Sequence, residues 1–401
     1  MIDVASFAAT AAEFLEANAP RRRDERRRWG EGPDDVAVPL TAPVEPEEER
    51  RQVAAARAWL RRRSEAGFGW ITGPVELGGR GLTPAHERAY VELEKGYAVP
   101  DRSITRTGTH IVGPALLAHG SDEVRTEVLP AVHRGDVIVC QLFSEPDAGS
   151  DLANISTRAV RSGDGWLLTG QKIWSSGAHY ADVGLCVART SADGRRHEGL
   201  TTFLVDMSAP GLQTRRIRQM TGGAEFDEVF LDEVFVPDSR RVGAVGAGWA
   251  VTLEVLMAER AAIGDEMVPD HRLVERAIDL ARHRGGAGDA VARQALVDAH
   301  ARLALARLLV QRVLEGSPAG GTPGPELAMA KLALTRAMLV LGDAVGRLLG
   351  PALVADTGEW GTYAWSGFVL GVPGLRIGGG TDEILRNTLA ERVLGLPREP
   401  R

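Results

Sequence analysis

Two stretches in the middle of this chain combine residue types that could hold a flat ring with a polar edge. The first, Gln141-Leu-Phe-Ser-Glu-Pro-Asp-Ala-Gly-Ser-Asp151, reads as a strand running into a loop of hydroxyls and small residues. Such a loop offers backbone N–H and hydroxyl donors to an anion or a heteroaromatic edge, although the same residues also build ordinary Asx turns. The second, Gly170-Gln-Lys-Ile-Trp-Ser-Ser-Gly177, sets Trp174 beside Ser175 and Ser176 at a strand end. There an indole could cover a ring while a hydroxyl two residues on bonds its edge; packing of Trp174 in a β core is the equal alternative.

A carboxylate supplies the third candidate. Leu256-Met-Ala-Glu-Arg-Ala-Ala-Ile263 reads as helix, and on a helix Glu259 shares a face with Val255, Leu256, Ala262 and Ile263. A carboxylate sunk in an apolar stripe has a raised pKa and suits a general base. A buried ion pair with an arginine is the competing role, and the adjacent Arg260 projects about 100° away.

The elements that must position these residues follow from periodicity. From Ile2 to about Val132 the pattern is helical, with Phe7, Ala11 and Phe14, then Ala54, Ala55, Ala58, Trp59 and Leu60, then Tyr90, Leu93 and Tyr97 at three-to-four spacing. From about Val137 to Pro237 the period changes to two, as in Trp166-Leu-Leu-Thr, Val183-Gly-Leu-Cys-Val, Thr202-Phe-Leu-Val and Glu228-Val-Phe-Leu. After Gly248 helical segments return, broken at Gly285 to Gly288 and at Ser317 to Pro325. The expected fold is α+β in three domains: an N-terminal helical domain over 1–136, a β domain over 137–241 and a C-terminal helical bundle over 242–401.

Composition narrows the function. With 401 residues, 44% hydrophobic and 25% charged, and a net charge of -7, the chain is an ordinary soluble type with no reason to bind nucleic acid. The arginines at 21–23 and 26–28 are followed by acidic residues from Asp34 to Glu49, which reads as a solvated surface. No apolar stretch approaches the roughly 20 residues of a membrane span, and Asp3 and Glu13 sit where a secretory leader would be basic and apolar, so a cytoplasmic protein is expected. Cys140 and Cys186 have no metal-ligand spacing and read as buried thiols; no metal site is expected. No Rossmann or Walker pattern occurs either.

Taken together, Gly79-Arg-Gly-Leu, Ser-Glu-Pro-Asp-Ala-Gly-Ser-Asp151, Gly170-Gln-Lys-Ile-Trp, Phe226-Asp-Glu-Val-Phe and Gly380-Thr-Asp-Glu-Ile-Leu-Arg-Asn387 resemble, in order and spacing, the acyl-CoA dehydrogenase family. The resemblance implies helical, β-barrel and helix-bundle domains, an FAD cofactor, an acyl-CoA or acyl-carrier thioester substrate and an electron-transferring flavoprotein as acceptor. It also implies that Leu142 and Ser144 meet the flavin ring, that Gly149 belongs to the cofactor loop, and that Ser150 serves the pyrophosphate and the thioester. Trp174 would flank the ring, Ser175 and Ser176 would lie at its reactive edge, and Thr381 and Glu383 would complete the pocket. Many members carry the catalytic Glu directly before the C-terminal Gly-Thr, where this chain has Gly379. Others carry it on the first helix of the C-terminal domain, which implies Glu259 as base, Gly379 N–H as donor to the thioester oxygen, and Arg260 beside the substrate.

The chain departs from the pattern at two places. Members commonly have Phe-Gly after a helix-end Arg, and here the sequence is His283-Arg-Gly-Gly-Ala-Gly288; a Gln and Gly-Gly pair is replaced by Arg347-Leu-Leu-Gly-Pro351. Arg284 remains as a pyrophosphate ligand. These departures resemble an actinobacterial branch acting on bulky or steroid-derived thioesters, partly as heteromers of two related chains. A homodimer or homotetramer is the expectation, with a heteromer of related chains as the alternative. Two other functions remain open: a flavin monooxygenase on the same fold, and a half-site subunit that needs a related partner.

Overall fold

The computed structural model describes residues 2–22, 44–191, 196–266, 272–315, 325–355 and 362–398. They fall into two compact units, one holding residues up to 217 with Ala224–Ala258, the other Arg218–Gly223 and everything from Glu259. The arginine-rich run beyond Arg22, the acidic stretch as far as Pro43, and residues 317–324 of the expected break lie outside the described residues.

In the first unit, α1 (Val4–Asn18) starts at Asp3, whose carboxylate accepts from Ser6 N–H at 2.9 Å. Helices α2 (Pro46–Glu65) and α3 (Pro84–Glu94) both carry Pro in the first turn, where its missing N–H costs nothing. Short helices α4 (Ser103–Arg106), α5 (Gly113–His119) and α6 (Leu129–Arg134) complete this part. Phe7, Ala11, Leu15, Trp59, Phe68 and Tyr90 form its core. The buried face of α2 is Ala56, Trp59, Leu60 and Arg63, so Ala54, Ala55 and Ala58 face solvent. Arg63 is tolerated inside because Glu94 faces it at 3.8 Å, while Glu94 also accepts from Trp59, Tyr90 and Arg102.

Eight strands follow: β1 (Val139–Leu142), β2 (Arg158–Ser162), β3 (Gly165–Ser176), β4 (Val183–Arg189), β5 (Leu200–Asp206), β6 (Leu212–Ile217), β7 (Phe226–Pro237) and β8 (Arg241–Val242). They form one mixed sheet in the order β6-β7-β3-β2-β4-β5-β8, with β1 pairing parallel to β4. β4 and β5 are buried along nearly their whole length, because both their faces are covered. Cys140 and Cys186 sit in the sheet core as free thiols, and burial pushes the Cys186 thiol up to about 11. At one edge, β6 exposes Gln213, Thr214 and Arg215; at the other, β8 is two residues long.

Helix α7 (Gly248–Glu266) continues into the second unit, which holds α8 (Arg272–His283), α9 (Ala290–Glu315), α10 (Leu327–Leu349), α11 (Thr362–Leu375) and α12 (Asp382–Arg392). Its core runs through Leu280, Leu303, Leu334, Met338, Leu341, Trp365 and Phe368. Among the described residues no helix is long and apolar enough to cross a membrane, and no group of His, Cys, Asp and Glu is placed to hold a metal.

Candidate active site

The loop after β1 is anchored by a charge pair that the sequence reading missed. Glu145 and Lys172 are both buried and meet at 2.8 Å. Lys172 Nζ also donates to the carbonyls of Phe143 at 3.1 Å and Val187 at 2.8 Å. Glu145 accepts from Ser156 N–H, Ser156 Oγ and Thr157 N–H at 2.6–3.0 Å. Burial alone would push this carboxyl up, but the Lys172 charge and the hydrogen bonds outweigh it and hold it at about 2. Reciprocal backbone bonds between Glu145 and Ala148 close a tight turn, and Gly149 and Ser150 are displayed beyond it, exposed. Ser144 is half-buried and its carbonyl accepts from Ile173 N–H at 2.9 Å; Leu142, expected to meet the ring, is instead a fully buried core residue paired with Cys186.

Trp174 is not a core residue: it is 55% exposed. The pairing of β3 with β7 shifts register between Lys172 and Ser175, and Trp174 takes up the kink with φ of 60°. A β-bulge of this kind re-aims a side chain. A left-handed backbone costs a bulky residue about 1–2 kcal/mol and persists where its surroundings force it. The indole rests edge-on against Phe226, with ring centroids 5.9 Å apart. Ser176 is exposed beside it, whereas Ser175 is buried and its Oγ has no hydrogen-bond partner among the described residues.

Behind the bulge lies a second network without a sequence forecast. The His179 Nδ1 and backbone N–H both meet Asp227 Oδ2, at 2.8 and 3.1 Å. His179 Nε2 is 3.0 Å from Glu49, which Arg216 grips through both guanidinium N–H groups. Burial opposes a charge on His179, but the hydrogen bond and charge of Asp227, then those of Glu49, outweigh it and raise its pKa. Asp227 was quoted within Phe226-Asp-Glu-Val-Phe, yet nothing local in the sequence joins it to a histidine 48 residues earlier.

In the second unit, Thr381 caps α12, its Oγ1 accepting from Ile384 N–H at 3.2 Å. Gly379 and Gly380 precede it with φ of 66° and 95°, a conformation that glycine alone adopts without strain. Buried Lys331 holds the Gly380 carbonyl at 2.9 Å, and buried Asp382 is held by Arg376 at 2.8 Å. Among the described residues the N–H groups of Gly379, Gly380 and Thr381 donate to no backbone carbonyl. A turn at a helix N-terminus whose amides meet no backbone acceptor among the described residues suits an oxyanion or a phosphate. Glu383, in the first turn of α12, is exposed and lies 3.4 Å from Arg386.

Glu259 is half-buried on α7; Val255 on its face is fully buried and Leu256 half-buried. The side chains of Arg260, Ala262 and Ile263 lie outside the described residues. Arg284, just past α8, is exposed and donates to the Leu349 carbonyl at 3.5 Å. With Arg347, Gly286, Asp289 and Leu348 it lines a shallow depression.

Three family models match the chain: the acyl-CoA dehydrogenase N-terminal domain over residues 35–136, the middle domain over 140–234 and the C-terminal domain over 246–394. Acyl-CoA dehydrogenase IpdE1 of Mycobacterium tuberculosis is 37% identical over 357 residues, covering 88% of this chain and 91% of that protein. Acyl-CoA dehydrogenase FadE34 of the same organism is 39% identical over 353 residues, of which the match spans 88% of this chain and 47% of the relative. Among solved structures, the Tcur3481-Tcur3483 steroid ACAD superposes with a TM-score of 0.74 at 25% identity, covering 99% of this chain and 100% of that one.

Proposed function

Because the chain belongs to the acyl-CoA dehydrogenase family, oxidoreductases acting on CH–CH bonds, we propose that it desaturates an acyl thioester with FAD to the trans-2-enoyl thioester. Bound FAD supplies the acceptor for the hydride that leaves the β-carbon. The residues present fit such a group. Within the first unit Trp174 offers an aromatic face and the Gly149-Ser150 loop offers donors for a pyrophosphate; Arg284, Thr381 and Glu383 are the second unit's own residues of fitting chemistry.

In this reading Glu259 takes the α-proton. Its partial burial on a helix with an apolar face suits a carboxylate that must accept a proton near neutral pH. The Gly379 N–H donates to the thioester oxygen as negative charge develops there. Arg260 serves the substrate. The relatives support a steroid-derived or comparably bulky CoA thioester, with a carrier-bound acyl group as the alternative, since one is a steroid ACAD and another an L-prolyl-[peptidyl-carrier protein] dehydrogenase. An electron-transferring flavoprotein is the proposed acceptor.

The single observation that carries the reading is Trp174, an aromatic held in the open on a strained bulge beside the exposed Ser176. The test uses the purified chain. Stoichiometric flavin absorbance is expected, with bleaching under anaerobic acyl-CoA in the natural protein and none in Glu259→Gln. Bleaching that persists in Glu259→Gln moves the base elsewhere. Flavin that never bleaches with any acyl-CoA favours oxygen chemistry on the same fold. A colourless protein that gains flavin only with a related chain makes it one half of a heteromer, as the paired chains named in the Tcur3481-Tcur3483 structure suggest.

A further inference from the structure

The left-handed backbone at Trp174 has to be held from both sides, since relaxing it recovers the strain. On the near side the hold is plain: Lys172 is pinned by Glu145 and two carbonyls, and Ile173 N–H is bonded to Ser144. On the far side the ladder is short. Ser175 pairs with Asp227, Ser176 with Phe226, and Gly177 N–H reaches the Glu225 carbonyl at 2.9 Å before the chain turns away.

What closes the far side is a side chain. Asp227, on the partner strand, receives both the N–H and the Nδ1 of His179, two residues into that turn. The strand after the bulge is thereby tied back to the strand it pairs with. His179 in turn bears on Glu49 of α2, and Glu49 is fixed by Arg216 of β6. Carboxylates alternate with an imidazole and a guanidinium along this line, and the buried Asp227 has its Oδ2 held by His179.

We propose that His179 and Asp227 are positioning residues for the flavin site, acting through Trp174 by holding the bulge that aims its indole. The proposal rests on the reading of Trp174 as the flank of the flavin ring. Both residues would act through the indole, by way of the contacts that fix the bulge. A role confined to stability would affect folding and leave the geometry at Trp174 as it is.

The experiment is a double-mutant cycle on the holoenzyme, with His179→Asn made in the natural and in the Trp174→Phe backgrounds. Flavin released on dilution gives the dissociation constant for each. Coupled contacts of this kind give non-additivity of about tenfold. His179→Asn is therefore expected to weaken flavin binding about tenfold when Trp174 is present and less than about twofold when it is Phe. Equal factors in the two backgrounds, or no weakening in either, overturn the proposal.

A second readout needs no flavin. The near-ultraviolet circular dichroism of Trp174, taken as natural minus Trp174→Phe, should collapse in His179→Asn; an unchanged band overturns the proposal even if the chain binds no cofactor. Asp227→Asn, nearly the same size, repeats both measurements should His179→Asn fail to fold. A natural chain that retains no flavin while this band responds as stated defeats the cofactor reading and leaves the positioning role standing.

Discussion

Replacing Lys172 by Met keeps the length of the side chain and removes its charge, which isolates what the buried pair contributes. A carboxyl held at about 2 instead of its ordinary 4.5 adds about 3 kcal/mol to stability at neutral pH, at about 1.4 kcal/mol for each tenfold change. That figure includes the hydrogen bonds from Ser156 and Thr157, which survive the substitution, and breaking a buried pair from one side costs about 3–5 kcal/mol, so about 3 kcal/mol is taken for the change. The contribution has a definite sign with pH. A depressed carboxyl stabilises fully above its unfolded value and loses that stability as pH falls toward the folded value, here from about 4.5 down to about 2. In Lys172→Met the remaining carboxylate is uncompensated and takes up a proton more readily, so the deficit should be largest at pH 7 and shrink toward pH 4. For a cooperative unit of this size about 3 kcal/mol corresponds to roughly 6–12 °C in melting temperature. Scanning calorimetry of the natural protein and Lys172→Met at pH 7 and pH 4.5 measures it. A shift under about 2 °C at pH 7, or one equal at both pH values, would refute the reasoning.

Trp174→Asn should leave the protein equally stable or raise its stability by about 1 kcal/mol, because Asn tolerates the left-handed region, while flavin retention falls; calorimetry and the visible spectrum report the two effects in one preparation. Thr381→Ala should cost about 1 kcal/mol through loss of the α12 cap, with Thr381→Ser restoring it, read from the melting temperature.

The sequence made the order of elements legible, because helical and strand periodicities change near Val137 and again near Gly248, close to where β1 and α7 begin. It was less legible where burial is complete. β4 and β5 are apolar runs covered on both faces, so their strand character comes from length and flanking residues and not from alternation. In α2 the alanines exaggerated the wrong face, since alanine is at home on either side of a helix, and Trp59 and Leu60 mark the buried one. Gly379-Gly380-Thr381 carried a local cue, glycines before a threonine at a helix start, whereas the left-handed backbone at Trp174 carried none, since a bulky residue disfavours it. Glu145 with Lys172 and His179 with Asp227 were not legible, because a pair 27 or 48 residues apart shows itself only once the sheet brings its members together. A buried lysine inside a strand is itself a cue that a carboxylate must be found for it.

Among the described residues the two ends of the strand path from β6 to β8 discourage further pairing by different means. β6 turns Arg215 outward and lays its guanidinium over Phe230, 5.2 Å from the ring centre, while Gln213 and Thr214 keep the rest of that border wet; β8 ends after two residues. Among the described residues, a neighbouring polypeptide in a crowded cell therefore finds no long greasy border at these two ends of the strand path on which to add itself.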